Sequence, residues 1–333
     1  MRAMVLHHPS LIEKHPLQLE DVPKPTPKNG ELLVKIFACG VCRTDLHIIE
    51  GELKAKKLPL IPGHQVVGIV EKAGPNCQFK QDDLVGIAWL RHTCGVCEFC
   101  KKNQENLCPK SLYTGYHKNG GYSEYAIAQD AFAYLLEKHD DPMHIAPLLC
   151  AGIIGFRALK QSGIQPKQTL GIFGFGSSAH LAIQVAKYWG CEVFVATQSP
   201  SHQQLAKEMG ADFVTDYNTA FPNKVDAGVV FAPAGNIVPK ALQSIKNGSV
   251  VAIAGICMTP IPKLDYDSTL FHEKKLVSVE ANTREDGKEF LKLAKKIPIQ
   301  THVQEYPLEK ANEALDDLKH HKLKGTAVLN IHV

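Results

Sequence analysis

The sequence has no long apolar run, no excess of charge of one sign and no internal repeat. No window of the 333 residues approaches the ~20 apolar residues that a membrane-spanning helix needs. Residues 1–9 break before a signal-peptide apolar stretch could form. Lys and Arg number 37 against 34 Asp and Glu, which gives no indication of a nucleic-acid or membrane partner. A composition of 44% hydrophobic and 21% charged residues excludes disorder, collagen and coiled coil, so we expect a globular cytoplasmic protein.

The length predicts two domains, because one domain usually contains roughly 100–200 residues. Residues 1 to about 150 show short strand patterns separated by Gly and Pro, which predicts an all-β region with strands at 31–37, 66–71 and 84–88. From about residue 168, strand and helix patterns alternate, which predicts a parallel sheet with crossover helices. Its strands are expected at 169–173, 192–196, 226–231 and 249–254, and its helices at 177–188 and 201–209. The last segment, with a helix near 308–319 and a strand at 325–331, fits either domain.

Ten cysteines and 16 histidines are the unusual feature of the composition. In a reducing cytosol they favour metal ligation or catalysis over disulfides. Four of them form the pattern C-x2-C-x2-C-x7-C in a polar loop, namely Cys94, Cys97, Cys100 and Cys108. Four thiolates can close a tetrahedral zinc shell with no open position, so we predict a structural zinc site. An iron–sulfur cluster is the weaker alternative, because its usual runs have a C-x3-C end or use a distant Cys.

A second set of possible ligands is spread along the chain. Cys39, Cys42 and His47 lie in one segment and His64 in the next, and each alone could be a buried core residue. Two thiolates and one imidazole would leave zinc a fourth position for water or substrate, as in catalytic zinc sites. Cys150, where the two domains join, could supply a thiolate. Spacing alone does not select Cys150 from Cys39, Cys77, Cys191 and Cys257.

Taken together, these motifs resemble the zinc-dependent medium-chain dehydrogenase/reductase family, in particular its bacterial-type alcohol dehydrogenases. The resemblance rests on GVCRTDLH at 40–47, PGH at 62–64, the four-cysteine loop, GGYSEY at 120–125 and a glycine-rich turn near residue 175. It implies an α/β protein in which an N-terminal GroES-like, partly open β-barrel domain is joined to a Rossmann doubly wound parallel-sheet domain. The first would contain residues 1–151, with 290–333 returning to it, and the second residues 152–289. It also implies an active site in the cleft between the domains and a homo-oligomer, a tetramer or a dimer.

The resemblance implies that Cys42, His64 and Cys150 hold a catalytic zinc. As a Lewis acid, zinc lowers the pKa of a bound alcohol, so that its hydroxyl proton is lost near neutral pH. Thr44 would bond the substrate hydroxyl and pass its proton towards His47. An exposed imidazole with an ordinary pKa suits that relay.

Three further positions carry implied roles or a departure from the family. Asp45 would bond the second ring nitrogen of His64, and Arg43 would neutralise the cofactor pyrophosphate. Without the metal set, a turn-capping Asp45, a solvated Arg43 and a surface His47 are the simpler interpretations. The family usually has Glu after the zinc-binding His, whereas this chain has Gln65. Because an amide is neutral and a poorer ligand than a carboxylate, we expect Gln65 to affect ligand exchange and turnover rather than metal retention.

A dinucleotide site is predicted at Gly174-Phe-Gly-Ser-Ser-Ala179, which fits G-x-G-x-x-A between a strand and a helix. The cofactor-binding residues would be Gly174, Gly176, Ser177, Ser178 and Ala179. The two glycines let the backbone approach a pyrophosphate, and the helix N-terminus favours its charge. A purely structural turn is the alternative.

The end of the next strand bears on the choice between NAD and NADP. NAD enzymes usually place Asp or Glu there to bind the ribose hydroxyls, but this chain has Thr197, Gln198 and Ser199, followed by His202. We predict Thr197, Gln198 and Ser199 as cofactor-binding residues, because no carboxylate repels a 2′-phosphate there and Thr197, Ser199 and His202 could donate hydrogen bonds to it. No Arg or Lys attracts the phosphate. We therefore expect a modest preference for NADP. The chain also has Thr326 where many relatives have an Arg, which predicts somewhat weaker cofactor binding.

The substrate is poorly specified by the sequence. By position in the family, Trp89, Leu90 and Tyr113 lie near the pocket walls, although a core Trp89 is an equal alternative. A short apolar pocket favours primary or small secondary alcohols and their aldehydes. Glu52 stands where small-alcohol enzymes often place an aromatic residue, so a wider or more polar entrance is expected.

Other functions are compatible with parts of the pattern. Within the family, they are an NADPH-dependent aldehyde reductase with larger substrates, or a catalytically weakened relative that binds zinc and cofactor. A zinc-free quinone oxidoreductase would share the glycine-rich turn but lack both cysteine sets. A non-catalytic lens-type protein has only Gln65 and the missing Arg in its favour.

Overall fold

The computed structural model describes residues 1–331, which divide into two compact units. One contains Met1–Cys150, Ala281–Glu289 and the chain from Thr301 onward, and the other contains Ala151–Glu280 and Phe290–Gln300. We expected residues 281–289 in the second unit and 290–300 in the first, whereas the structure groups them the other way. The chain changes unit inside one helix, so no change in composition marks the crossing.

The first unit begins with short strands and turns, as expected for an all-β region. Its strands are β1 Arg2–Leu6, β2 Leu17–Asp21, β3 Glu31–Gly40, β4 Gln65–Ala73, β5 Leu84–Ile87, β6 Leu90–His92, β7 Leu112–Tyr113, β8 Tyr125–Gln129 and β9 Ala133–Leu135. The helices in this region are α1 Arg43–Glu50, α2 Glu98–Lys101 and α3 Pro142–Ile145, with 3-10 turns at Ile12–Lys14, Glu105–Leu107, Asp130–Phe132 and Ala146–Leu149.

The second unit alternates strands and helices. Its strands are β10 Thr169–Phe173, β11 Glu192–Ala196, β12 Phe213–Thr215, β13 Val225–Val230, β14 Ile245–Ile253 and β15 Lys275–Ser278. The helices from here on are α4 Ala151–Ser162, α5 Ser177–Tyr188, α6 Pro200–Glu208, α7 Val238–Ser244, α8 Tyr266–Thr269 and α9 Arg284–Ala294, with a 3-10 turn at Gly235–Ile237. The strand order is β12-β11-β10-β13-β14-β15, and all neighbouring pairs are parallel. This confirms the predicted doubly wound sheet, whose order reverses beside β10.

The chain then returns to the sheet of the first unit. The last elements are β16 Val303–Pro307, a 3-10 turn Leu308–Lys310, α10 Ala311–Lys319 and β17 Thr326–Asn330. The seven-stranded sheet has the order β16-β17-β3-β4-β5-β9, with β8 also on β3. β8 pairs with the first half of β3, and β17 pairs with its last three residues. These two strands therefore share the edge of β3 opposite β4, as in a curved, partly open barrel.

One helical stretch contradicts the expectation that the chain has no long apolar run. The helical stretch Pro142–Ser162 is long and apolar enough to cross a membrane by length and composition alone. However, 61% of its most apolar window is buried inside the protein, as in the core helix of a globular protein. Its two prolines, Pro142 and Pro147, and several polar residues interrupt the apolar pattern, so no continuous apolar run is visible in the sequence.

The cysteine-rich loop is anchored within the first unit by an ion pair. Glu105, in the 3-10 turn of the loop, accepts hydrogen bonds from Arg284 Nε at 3.0 Å and Nη2 at 2.6 Å, and from the backbone N–H of Arg284 at 2.8 Å. The guanidinium also lies over the ring of Phe132, 4.4 Å from its centroid. These bonds join two segments far apart in the sequence.

Replacing Glu105 by Gln should lower the free energy of unfolding by about 1–3 kcal/mol, because the amide loses the charge-assisted bonds to Arg284. Urea unfolding followed by circular dichroism measures this. The control is Glu98→Gln, because the exposed Glu98 carboxylate lies 3.5 Å from Lys102 Nζ. Such surface pairs contribute less than about 1 kcal/mol. Equal losses in both variants would contradict an anchoring role for Glu105.

Candidate metal and cofactor sites

The turn into α1 fixes Cys42 at the start of a helix. Cys42 is the N-cap residue, and its backbone N–H donates to Asp45 Oδ2 at 3.0 Å, as in half of a capping box. The helix ends at Gly51, which adopts the left-handed conformation (φ 85°) that glycine tolerates best. A thiolate at a helix N-terminus is stabilised by the helix dipole.

The carboxylate of Asp45 is fully buried and accepts four hydrogen bonds. Oδ1 accepts from His64 Nδ1 at 2.9 Å and from the backbone N–H of Gly63 at 3.2 Å. Oδ2 accepts from Tyr122 Oη at 3.2 Å, in addition to the N–H of Cys42. Because Asp45 receives the Nδ1 proton, the His64 ring is held with Nε2 as its free donor atom towards a metal.

Three donor atoms meet on the Nε2 side of His64. His64 Nε2 lies 3.3 Å from Cys150 Sγ, and the donor atoms of Cys42, His64 and Cys150 are all within 4.8 Å of one another. Ligand atoms of a tetrahedral zinc site with Zn–S near 2.3 Å are separated by roughly 3.5–3.8 Å. Two sulfurs and one imidazole nitrogen at this spacing fit a zinc ion with one open position.

The electrostatics of this cluster also fit a metal. A hydrogen bond from Cys150 and the proximity of His64 hold the pKa of the Cys42 thiol well below its usual value, although burial opposes this. Burial alone would lower the pKa of His64, but the charge and hydrogen bond of Asp45, together with Cys42, raise it to about 10. A metal ion held by these three residues would take the place of the proton on His64 Nε2.

The four cysteines of the loop also converge. Their sulfurs lie within 4.8 Å of one another, with Cys97 Sγ 3.5 Å from Cys100 Sγ. The N–H of Cys97 donates to Cys94 Sγ at 3.4 Å, and the N–H of Cys94 donates to Cys108 Sγ at 3.4 Å. Hydrogen bonds from the N–H groups of Val96 and Cys97 lower the pKa of Cys94 to about 6. This set of four thiols, held by backbone donors, fits a closed zinc shell.

The residues expected to relay a proton lie on α1. Thr44 Oγ1 is 3.7 Å from Cys42 Sγ, and His47 lies three residues later on the same side of the helix. His47 is not the exposed imidazole that we expected, since it is only 9% exposed. Its Nδ1 is bonded to the carboxylate of Glu52, and its buried Nε2 has no hydrogen-bond partner among residues 1–331.

Arg43 reaches towards the C-terminal end of α10. Its Nη2 donates to the carbonyl of Leu318 at 3.2 Å and lies 3.4 Å from His321 Nδ1. Burial lowers the pKa of the guanidinium, although the nearby Cys42 and Glu52 oppose this effect. Arg43 is therefore neither fully solvated nor paired with a carboxylate through these bonds.

An aromatic stack borders the metal cluster. Trp89 packs edge-on against His64, with ring centroids 4.9 Å apart, and stacks on Tyr113 at 4.9 Å and on Tyr116 at 5.7 Å. Trp89 and Tyr113 are partly exposed, whereas Leu90 is buried. Trp89 therefore gives the cluster an apolar wall within the first unit.

Gln65 is buried directly after His64. It is 1% exposed, and its Oε1 has no hydrogen-bond partner in the described chain. It pairs with Gly40 in the β3–β4 ladder, and a Cβ at Gly40 would lie 2.9 Å from Gln65 Cδ. The absence of a side chain at Gly40 thus makes the space that Gln65 occupies.

The glycine-rich turn has the geometry of a phosphate cradle. Gly174 has φ 88°, and a Cβ there would lie 2.7 Å from the backbone nitrogen of Ala232. A Cβ on Gly176, which is the N-cap of α5, would meet nothing within 4 Å, so the backbone faces open space. Ser177 and Ser178 open the helix, and Ala179 is buried. An uncovered helix N-terminus of this kind fits a dinucleotide pyrophosphate.

The residues that follow β11 differ from the expectation in one respect. Thr197 is only 3% exposed, and its side chain interacts with Tyr217, so it does not face solvent as a donor to a 2′-phosphate. Gln198 is exposed, and Ser199 Oγ lies 2.8 Å from Ser201 Oγ. Successive side chains of a strand point to opposite faces of the sheet. The sequence does not indicate which of the two faces the side chain of Thr197 takes at the end of β11.

Three residues of the site were not assigned roles from the sequence. Tyr122 lies within the GGYSEY motif, but nothing local indicates that its hydroxyl reaches Asp45. Gly63 has φ 95°, and a Cβ there would lie 2.4 Å from the Tyr122 ring. The glycine of the PGH motif is therefore a sequence signal for this close approach. Glu52 was noted only as a departure from an aromatic residue, and its pairing with His47 was missed.

Two family models match the chain. The model described as "Alcohol dehydrogenase GroES-like domain" matches residues 28–138, and "Zinc-binding dehydrogenase" matches residues 179–296. The probable alcohol dehydrogenase AdhA of Mycobacterium tuberculosis (strain CDC 1551 / Oshkosh) is 43% identical, over 99% of this chain and 97% of its own. An alcohol dehydrogenase of Geobacillus stearothermophilus is 37% identical over 96% of each chain.

Solved structures share the fold. Acetophenone reductase from Geotrichum candidum in complex with NAD is 26% identical, with a TM-score of 0.87 over 99% of this chain and 97% of its own. The CAD protein of Helicobacter pylori complexed with NADP(H) is 23% identical, with a TM-score of 0.88 over the same shares of the two chains. The latter likeness shows the fold alone.

Tyr122→Phe should weaken zinc binding by about three- to tenfold, because Asp45 loses one of its donors and holds His64 less firmly. Competition with a chromophoric chelator measures the affinity. Tyr306→Phe is the matched control, because Tyr306 is also buried in the first unit and donates at 2.7 Å to Asp317, outside the metal cluster. An unchanged affinity in Tyr122→Phe would show that its hydroxyl does not support the metal ligands.

Proposed function

The chain belongs to the zinc-dependent medium-chain alcohol dehydrogenases, and on that basis we propose which residues perform its reaction. It is an oxidoreductase that acts on small alcohols and aldehydes with zinc and a nicotinamide cofactor. The observation that carries the proposal is the convergence of Cys42, His64 and Cys150 beside the buried Asp45. We assign these three residues to the catalytic zinc and the four cysteines of the loop to a structural zinc.

The metal and the nicotinamide supply the chemistry that side chains lack. When bound, zinc withdraws electron density from the oxygen of the substrate, and the nicotinamide accepts or returns the hydride. The chain itself holds the ligands in place. Asp45 fixes the tautomer of His64, and the dipole of α1 favours the thiolate of Cys42 at its N-cap.

We assign the transfer of the alcohol proton to two side chains of α1, Thr44 and His47. In our proposal the Thr44 hydroxyl accepts it from the substrate and donates its own proton towards His47 Nε2. Because Glu52 accepts the proton on Nδ1 of His47, the lone pair of the neutral ring lies on Nε2, the atom that lacks a partner within residues 1–331. In aldehyde reduction the same groups return the proton.

Selectivity is assigned to the aromatic wall and to the dinucleotide turn. Trp89 beside His64 favours the hydrocarbon part of an alcohol. Gln65, whose Oε1 has no hydrogen-bond partner within residues 1–331, is assigned an effect on ligand exchange at the metal rather than on metal retention. Arg43 and the backbone from Gly174 to Ala179 are assigned to the cofactor phosphates.

We also propose NADP as the preferred coenzyme, a homo-oligomeric state such as a tetramer, and a cytoplasmic location. The coenzyme proposal rests on the absence of Asp and Glu at residues 197–199 and on the exposed Gln198. With Thr197 turned inward, Gln198 and Ser199 are the remaining donors for a 2′-phosphate. One neutral hydrogen bond contributes about 0.5–1.5 kcal/mol.

Kinetics with both coenzymes test the proposed function. We expect zinc-loaded protein to oxidise primary alcohols, with kcat/KM for NADP exceeding that for NAD by roughly two- to tenfold. Initial rates of nicotinamide reduction over a panel of primary and secondary alcohols give these values. A tenfold preference for NAD would reject the coenzyme assignment. Zinc-loaded protein that oxidises no alcohol would reject the assigned function.

Metal content tests the second zinc site. Cys97→Ser should reduce the zinc content from two ions per chain to one, because a closed shell of four thiolates loses a ligand. Atomic emission spectroscopy after dialysis measures the content. Cys77→Ser is the control, because Cys77 lies outside both cysteine groups. Full zinc retention in Cys97→Ser would disprove the structural site.

A further inference from the structure

A cavity in the first unit lies apart from the residues assigned to the reaction. It has a volume of about 730 Å³ and is lined by β1, β2 and the proline-rich segment after β2, the 57–61 loop, β6 and β8. None of Cys42, His64, Cys150 or the four cysteines of the loop lines it. The cavity therefore needs an explanation other than the proposed alcohol site.

A buried guanidinium contributes to the lining of this cavity. Arg91, on β6, is only 6% exposed. Its Nη1 donates to the carbonyl of Ile127, and its ion pair with Glu31 is long, at 3.9 Å from Nη2. Glu31 instead accepts from Gln129 Nε2 and from the N–H of Lys28, both at 3.0 Å. Arg91 thus has no carboxylate at hydrogen-bond distance within the described part of the chain.

The remaining charges around the cavity are mostly positive. Lys28, Lys57 and Lys118 also line it, against the carboxylates of Glu20 and Glu31. Glu20 is already engaged by His7 Nε2 at 2.6 Å. Lys57 Nζ donates to Asn119 Oδ1 at 2.7 Å, and burial together with the charge of Lys118 lowers its pKa. Together with Arg91, four cationic side chains thus face two carboxylates in the lining of the cavity, which leaves an excess of positive charge.

The lining also has an apolar part. It includes Val22, Pro23, Pro25, Pro59, Leu60 and Leu112, beside polar side chains such as Thr26 and Gln129. A ligand that satisfies both features needs an anionic group for Arg91 and a hydrocarbon part for these walls. The planar guanidinium matches a carboxylate through two parallel hydrogen bonds.

We propose that this cavity binds a small aliphatic carboxylate, with its carboxylate group at Arg91 and its chain against the proline and leucine walls. The lysines at the rim attract the anion and add to its affinity. The site is separate from the zinc ligands. Occupancy therefore does not require the alcohol dehydrogenase chemistry, and failure of one proposal leaves the other intact.

Isothermal titration calorimetry of the zinc-loaded full chain tests the proposal with three probes: hexanoate, hexanamide and inorganic phosphate. Hexanoate should bind at one site, and hexanamide and phosphate at least about tenfold more weakly, because each lacks one half of the recognised ligand. Phosphate binding as tight as that of hexanoate would overturn the carboxylate assignment. An absence of hexanoate binding would overturn the site.

Variants locate the bound probe. Arg91→Lys should weaken hexanoate at least about tenfold, and the double variant Lys57→Gln with Lys118→Gln at least about threefold, with unchanged alcohol oxidation in the double variant. If Arg91→Lys does not fold, the double variant still tests the site, because Lys57 and Lys118 are exposed. The adjacent Lys56→Gln is the control, because Lys56 does not line the cavity. Hexanoate binding that is lost in Cys42→Ser but retained in the lysine double variant would place the probe at the metal cluster and overturn the proposal.

Discussion

A single buried carboxylate holds the metal cluster together. Burying Asp45 costs several kcal/mol, and the four hydrogen bonds that it accepts offset that cost. Its donors come from the N-cap of α1, from the turn before β4 and from the segment before β8. The same bonds therefore close the local fold and orient His64, so a change that weakens the first unit at Asp45 also disturbs the site.

The two cysteine groups differ in how their geometry is specified. The loop from Cys94 to Cys108 brings four sulfurs together within fifteen residues by its own turns, so spacing alone predicted it. In the other group, Cys42 and Cys150 are separated by most of the first unit. No local pattern favours Cys150 over Cys39, and only the resemblance selected it. The structure shows why Cys39 differs, because it is fully buried in β3 and lies outside the group in which Cys42, His64 and Cys150 converge.

Regular elements were predictable where a local period determines them. The strand Thr169–Phe173 and the helix Ser177–Tyr188 match their predicted ranges, because the apolar pattern and the flanking glycines are both local signals. The burial of His47 and the inward orientation of Thr197 depend on neighbours that are distant in sequence. The same holds for the change of unit inside α9. Such features follow from tertiary packing, which the period of a single segment does not encode.

Arg284 and Arg91 of the first unit both lie beside a carboxylate, and the contrast between them separates a structural role from a binding role. Arg284 makes close hydrogen bonds to both oxygens of Glu105, so its charge is compensated by the protein. Arg91 is more buried, yet its carboxylate partner is 3.9 Å away and already bonded to other donors. Burial lowers the pKa of Arg91 and the charge of Glu31 offsets this effect only in part, so an anion bound beside the guanidinium would stabilise its charge. Charge balance, rather than burial alone, therefore distinguishes the arginine that anchors the cysteine-rich loop from the one that we assign to a ligand.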